Sequence, residues 1–177
     1  MNGLIKNIFR FIIFIAVQVF ILNKIPHLHR FIIPYLYFLF ILWLPFSIPR
    51  FVLLVIGFFT GITLDYFTMT PGLHAAACVL IAYVRPFMIN LLIPKDTTEF
   101  NYDEPSPRAL GWAPYLIYAL VLTFIHHFYL YLLELLQIGH FLDFLIKVAA
   151  TTGISMLLIL TVEILLPRKM RFRTNTA

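Results

Sequence analysis

The sequence predicts an all-α integral membrane protein: one bundle of about six transmembrane helices. Three observations carry this. Hydrophobic residues make up 62% of the 177 positions and charged residues only 12%, whereas a soluble domain has roughly 25% charged. So little charge cannot coat a water-facing globule, and the bilayer must solvate most of the outer face. The apolar residues also fall in continuous runs near the ~20 residues that a spanning helix needs, without the polar–apolar alternation of barrel strands. Finally, lipid offers no partner to a backbone N–H or C=O, so a continuous apolar run has to satisfy itself as a helix. A chain of this length is read as a single domain, 1–177.

Taken in order, the first span covers about 4–22. Lys6 and Arg10 precede its apolar run, as in a signal peptide, but Asn23-Lys24-Ile25-Pro26 follows with no small-x-small cleavage site, so the span is read as uncleaved. A polar turn leads to a second span, about 31–46, short and rich in aromatic residues, with Pro34 in its first turn and Pro45 and Pro49 at its end. The third span covers about 50–67. Thr70 is a plausible N-cap and Pro71 a plausible first helical residue for the fourth span, 72–93, where an interruption is expected near Pro86. Residues 94–108 are the one long hydrophilic stretch, with Asp96, Glu99, Asp103 and Glu104 among prolines, and suit a mobile cytoplasmic loop. The fifth span, 110–136, and the sixth, 141–166, are joined by a tight turn at 137–140, and Pro167 ends the last before a basic tail, 167–177.

Lysine and arginine placement sets the orientation. Lys6, Arg10, Arg50, Lys95, Arg108 and the tail residues Arg168, Lys169, Arg171 and Arg173 share one side, against Lys24 and Arg30 on the other. The first side is therefore expected in the cytoplasm, with both termini, in a cytoplasmic (inner) membrane. The tail suits an anionic leaflet better than nucleic acid, because no basic helix accompanies it. The single cysteine, Cys78, excludes an internal disulfide and a multi-cysteine metal site.

Ionisable residues within spans cost roughly 2.5–3.5 kcal/mol each on insertion scales and are the first places to look for function. Gly57, Gly61 and Asp65 recur every four residues, a small-residue stripe that lets another backbone approach and that ends in a carboxylate. Asp65 is read either as a polar anchor for a ligand or, preferably, as the group that bonds the 68–72 turn and fixes the hairpin. His74 is expected to pair with it across that hairpin. Arg85 either snorkels outward or pairs with Glu163, the favoured reading. His127, Tyr131 and Glu134 share one helix face, read as an internal network or a partner-binding face. His126 or His127 with Glu134 makes a poor metal site, since seven residues along one straight helix is too far without a third ligand. Asp143 and Lys147, four apart in the favourable order, are expected to pair. Nucleotide-binding, hydrolase and zinc-protease motifs are absent, Ser155 has no evident base, and no enzyme activity, metal or cofactor is expected.

The segment 34–94 also carries a resemblance. It contains Y-L-Y-F-L-F-I-L-W-L-P-F at 35–46, G-F-F-T-G-I-T-L-D at 57–65, T-P-G-L-H-A-A-A at 70–77 and I-A-Y-V-R-P at 81–86. This ordered set, with Gly72 and His74 after the turn and His126-His127 and Glu134 further on, resembles the rod shape-determining MreD family in its Bacteroidota form. The resemblance covers most of the chain and is weakest in the first span, the acidic loop and the tail.

That resemblance implies a non-catalytic scaffold of the cell-elongation machinery, supporting peptidoglycan synthesis and cell shape. It implies as partners a periplasmic coiled-coil protein of the MreC type, a RodA-type glycosyltransferase with its transpeptidase, and MreB filaments. Membrane lipids and a second copy of the chain are further partners open to it. The family bundle is similar to the substrate-binding subunits of ECF-type vitamin transporters, so the alternative is a small-molecule-binding membrane subunit. Gly57, Gly61, Asp65, Gly72 and His74 are then expected at the packing face and outer corner. Arg85, His127, Glu134 and Glu163 are expected in an internal network or at a partner contact.

Overall fold

A computed structural model describes residues 3–25, 34–93, 102–138 and 141–166. The loop residues 94–101, the turn residues 26–30 and 139–140, the opening residues 31–33 of the expected second span, and the basic tail lie outside the described residues. Among the described residues, five helices are long and apolar enough to cross a membrane, and the chain is a multi-pass helical membrane protein. Helix α1 (Gly3–Ala16) continues through a π-helical turn (Val17–Ile21) and a 3-10 turn (Leu22–Lys24). A single turn, α2 (Leu39–Leu42), is followed by α3 (Arg50–Thr68), α4 (Leu73–Leu92), the one-turn α5 (Pro107–Leu110), α6 (Trp112–Ile138) and α7 (Phe141–Leu165). Neighbours in sequence are neighbours in space: α3 packs on α4, α4 on α6, and α6 on α7.

The expected second span is the main correction. Residues 34–36 are extended, a turn follows, and only α2 is helical. Ten residues separate Pro34 from Pro45, far short of the roughly 20 a spanning helix needs. The stretch is instead an irregular segment of chain, extended at 34–36 and wound into turns from 37 onward. It runs antiparallel to α1: Gln18 bonds residues 34–37, Phe11 meets Phe40 and Phe14 meets Trp43. From the level of Gln18 it thus returns to that of Arg10, about 12 Å along the helix axis. Among the described residues, five long helices and one buried irregular segment therefore stand where six spanning helices are expected.

Gly3 and Leu165 lie at the same end of the bundle. Lys6 and Arg10 of α1 bond Glu104, Phe46 N–H donates to the Asp103 carbonyl at 2.9 Å, and Glu163 near the end of α7 meets Tyr115 at the start of α6. Residues 102–106 are thereby docked on the bundle, where the composition suggested a mobile loop. Ser106 caps α5 by accepting from Ala109 N–H at 3.1 Å, with Pro107 at the first helical position.

Two local expectations also change. Helix α4 runs through Pro86 without interruption to Leu92; flanking turns and packed neighbours carry a spanning helix past one missing N–H. The residue before α4 is Gly72, at φ +85°, and Thr70 does not cap it. The Thr70 hydroxyl turns back to Asp65 instead.

The α3–α4 contact is set by missing side chains. A Cβ on Gly61 would sit 2.3 Å from Ala75 Cα, and one on Gly57 would sit 3.0 Å from Ala82 Cβ. The stripe thus works as small-residue packing between helices. Gly61→Val is expected to lower the detergent-unfolding midpoint by an amount equivalent to about 1–3 kcal/mol or more. Gly153→Ala, where an added Cβ meets nothing within 4 Å, should leave the midpoint unchanged or raised.

Candidate functional site

The outer corner of the α3–α4 hairpin is built on Asp65. Its Oδ1 accepts from Thr70 Oγ1 (3.0 Å) and His74 N–H (2.9 Å), and its Oδ2 from Gly72 N–H (3.1 Å) and Ala75 N–H (2.9 Å). A carboxylate at the start of α4 satisfies three N–H groups with no partner inside the helix and faces the positive end of its dipole. Asp65 is thus a cap supplied by the preceding helix, which welds the hairpin. Its link to His74 is to the backbone N–H; the His74 ring points elsewhere.

That ring reaches into the buried centre. Residues 35–44 are each at most 7% exposed, yet most of their backbone groups lie outside regular helix. Local backbone bonds take up the N–H groups of 39–44, and side chains from four helices take up groups at both ends of the segment. From α1's π-helical turn, Gln18 accepts from Leu36 N–H (2.8 Å) and Tyr37 N–H (3.3 Å) through Oε1, and donates to the Pro34 carbonyl (3.0 Å) through Nε2. Ser155 of α7 accepts from Tyr35 N–H at 3.3 Å. Tyr118 of α6 donates to the Leu42 carbonyl at 2.9 Å, and Arg85 of α4 donates to the Leu44 carbonyl. Sequence reading missed Gln18, Tyr37 and Tyr118. The available signal was Gln18 itself, an amide in the middle of an otherwise apolar run.

Around this segment lie two polar tiers. In the outer tier, Tyr37 Oη meets His74 Nδ1 (2.9 Å) and His126 Nε2 (2.8 Å), with Cys78 Sγ at 3.8 Å. One phenol proton can serve only one imidazole, so the other must donate to Tyr37. His126 Nδ1 has no partner among the described residues. The arrangement that strands no donor there places the His126 proton on Nε2, leaving Nδ1 as a bare acceptor. Phe38 stacks on His126 at 4.5 Å and Tyr35 on His127 at 5.8 Å. His127 Nε2 lies 3.4 Å from Ser155 Oγ. This resembles a nucleophile–base pair, but both residues are sealed beneath Tyr35 and show no exposed surface, so the contact serves packing rather than a substrate.

The inner tier joins Arg85 and Glu163 by a route the sequence did not suggest. Arg85 Nε donates to Tyr118 Oη at 3.0 Å. Glu163 accepts from Trp43 Nε1 at 2.7 Å and from Tyr115 Oη. The two charges thus share a cluster through Tyr115, Tyr118 and residues 43–44, in place of the expected direct pair. Arg85 is turned inward and does not snorkel.

The expected His127–Glu134 stripe divides. His127 faces the interior, while the half-exposed Glu134 accepts from Lys147 at 2.7 Å. Lys147 therefore pairs across the α6–α7 interface rather than with Asp143. Its ammonium also sits 5.6 Å from the Tyr131 ring, and Tyr131 Oη meets Thr151 Oγ1 at 3.1 Å. Among the described residues, no group of three His, Cys, Asp or Glu side chains is placed to hold a metal ion.

No protein-family model, no curated protein and no solved structure matches the chain.

Two outcomes test this geometry. Gln18→Leu strands the Leu36 and Tyr37 N–H groups and the Pro34 carbonyl, each worth about 1–3 kcal/mol when buried without a partner. Faster amide hydrogen exchange at residues 34–37 and a lowered unfolding midpoint are expected. The second concerns Glu104, which accepts from Lys6 at 2.7 Å and Arg10 at 2.9 Å. Burial pushes its carboxyl up, but the two cations together outweigh burial and hold it below the ordinary glutamate value. A carboxyl lowered on folding stabilises above its unfolded pKa, and that contribution is lost as pH falls through the folded one. Protease cleavage near 102–106 should therefore be slow at neutral pH and rise on acidification below the ordinary glutamate range. In Glu104→Gln it should be fast at both.

Proposed function

We propose that the chain is a non-catalytic membrane scaffold of the cell-elongation machinery, as its resemblance to the MreD family implies. The observation that supports this over a carrier is the filled interior. Where a vitamin-binding subunit keeps a cavity for cargo, residues 35–44 occupy the centre and are bonded from all sides. A bundle filled by its own chain acts through its outer surface, holding partner spans beside a synthase.

On this reading the end carrying Lys6, Arg10 and Arg50 faces the cytoplasm by the charge rule, and the Asp65 corner faces the periplasm. The partners are a periplasmic coiled-coil protein of the MreC type and, through it, a RodA-type glycosyltransferase with its transpeptidase. Gly57, Gly61 and Asp65 are consumed in the α3–α4 hairpin, so their role is to make the scaffold rigid rather than to touch the partner. Affinity purification of the tagged chain from native membranes is expected to recover the coiled-coil partner and cell-wall synthesis components. Recovery of a vitamin-transport ATPase complex without them would overturn the scaffold reading.

A further inference from the structure

The geometry points to a binding site for a phosphate ester anion at the end of the bundle that carries Lys6 and Arg10. A cavity of about 380 Å³ opens there between the start of α3 and the end of α4, within the roughly 300–1,000 Å³ range of small-molecule sites. Its polar wall is Arg50, Arg85, Asn90 and Tyr102, its apolar wall includes Ile89 and Ile93, and no carboxylate is among the described residues that line it.

Arg85 supplies the buried charge. It is 2% exposed, permanently charged, and carries five N–H donors. Its hydrogen bonds go through Nε to a phenol and through Nη2 to a backbone carbonyl, both neutral acceptors. These use two of the five donors. The ion pairs among the described residues are Lys6–Glu104, Arg10–Glu104 and Lys147–Glu134, and none includes Arg85. Glu163 offsets its charge only across the cluster, through Tyr115, Tyr118 and Trp43.

Arg50 then adds a second positive charge on the same wall, its guanidinium held 5.5 Å from the Phe87 ring of α4. Helix α3 begins at this wall as well. Its N-cap is Pro49, with no side-chain cap bond, so the first-turn N–H groups and the positive end of the helix dipole contribute there too. Two guanidiniums and an uncapped nineteen-residue helix, with no acid among the described lining residues, make an anion site. The guanidinium fork matches phosphate oxygens bidentately, and the isoleucine wall suits the apolar part of an ester. A lipid headgroup and a soluble phosphate share this chemistry. This inference needs only the membrane bundle and stands apart from the scaffold proposal.

The test uses the full chain in a neutral detergent. Native mass spectrometry measures retention of phosphatidylglycerol against phosphatidylcholine, and inorganic phosphate serves as competitor. Preferential retention of phosphatidylglycerol, displaced by phosphate, is expected. Arg50→Gln removes an exposed side chain outside the buried network and should weaken retention about tenfold, the worth of one charge-assisted bond. Arg85→Lys should weaken it as well, while Lys24→Gln, an exposed cation elsewhere, should not. If phosphate protects the chain from thermal unfolding in an Arg50-dependent manner but phosphatidylglycerol is not preferred, the anion comes from solution and the site stands. Binding of neither, or equal binding by Arg50→Gln and the unaltered chain, would overturn the assignment.

Discussion

Backbone satisfaction of the irregular segment 34–44 is the constraint on which the rest of the bundle depends. In a membrane interior an unpaired N–H or C=O has no water to turn to, so non-helical backbone survives there only inside protein, with partners supplied. Here turns within the segment satisfy the N–H groups of 39–44, and Gln18, Ser155, Tyr118 and Arg85 supply partners for groups the turns leave open, from α1, α7, α6 and α4. Each of those helices is thereby tied to one central element. The π-helical turn at Val17–Ile21 belongs to the same solution: local widening of a helix is common where a side chain must be re-aimed, and Gln18 lies within it.

The segment also explains why so many polar residues sit at depth. The imidazoles of His74 and His126 converge on Tyr37, and Glu163 receives Trp43 and Tyr115. These contacts grip the segment at two levels. A buried polar network that is nearly complete favours a single arrangement over its competitors. The exceptions among the described residues are Thr123 Oγ1, Thr152 Oγ1, His126 Nδ1 and His127 Nδ1, which are buried without a partner. Lipid-facing surface contributes little to this specificity, since lipid tails are as apolar as the side chains that touch them. Packing at Gly57 and Gly61 and the central polar bonds hold the helices together instead.

This organisation fits the scaffold role proposed above. Its centre is committed to its own chain, and its outer corner is locked by the four bonds to the Asp65 carboxylate. The opposite end is different in kind. There Lys6, Arg10, Arg50 and Arg85 lie near the start of α1 and around the α3–α4 cleft, with Glu104 answering only the first two. The two ends thus divide between a rigid corner and a positively charged, partly open one.

Much of this was determined by sequence alone. Continuous apolar runs with so few charges require a helical membrane bundle, and the four-residue spacing of Gly57, Gly61 and Asp65 puts them on one face whatever surrounds it. The role of Asp65 at the turn was legible for the same reason, because its partners are close in sequence. Tertiary structure decided what depended on distant residues. Whether 34–46 could be helical turned on groups 16 to 120 positions away that relieve its backbone. Arg85 and Glu163 found aromatic hydroxyls, indole and carbonyl rather than each other, and Lys147 chose Glu134 over Asp143. Periodicity reports which residues share a face; it carries no information about which donor from another helix arrives opposite. In a medium that supplies no hydrogen bonds, that second question settles where a polar side chain goes.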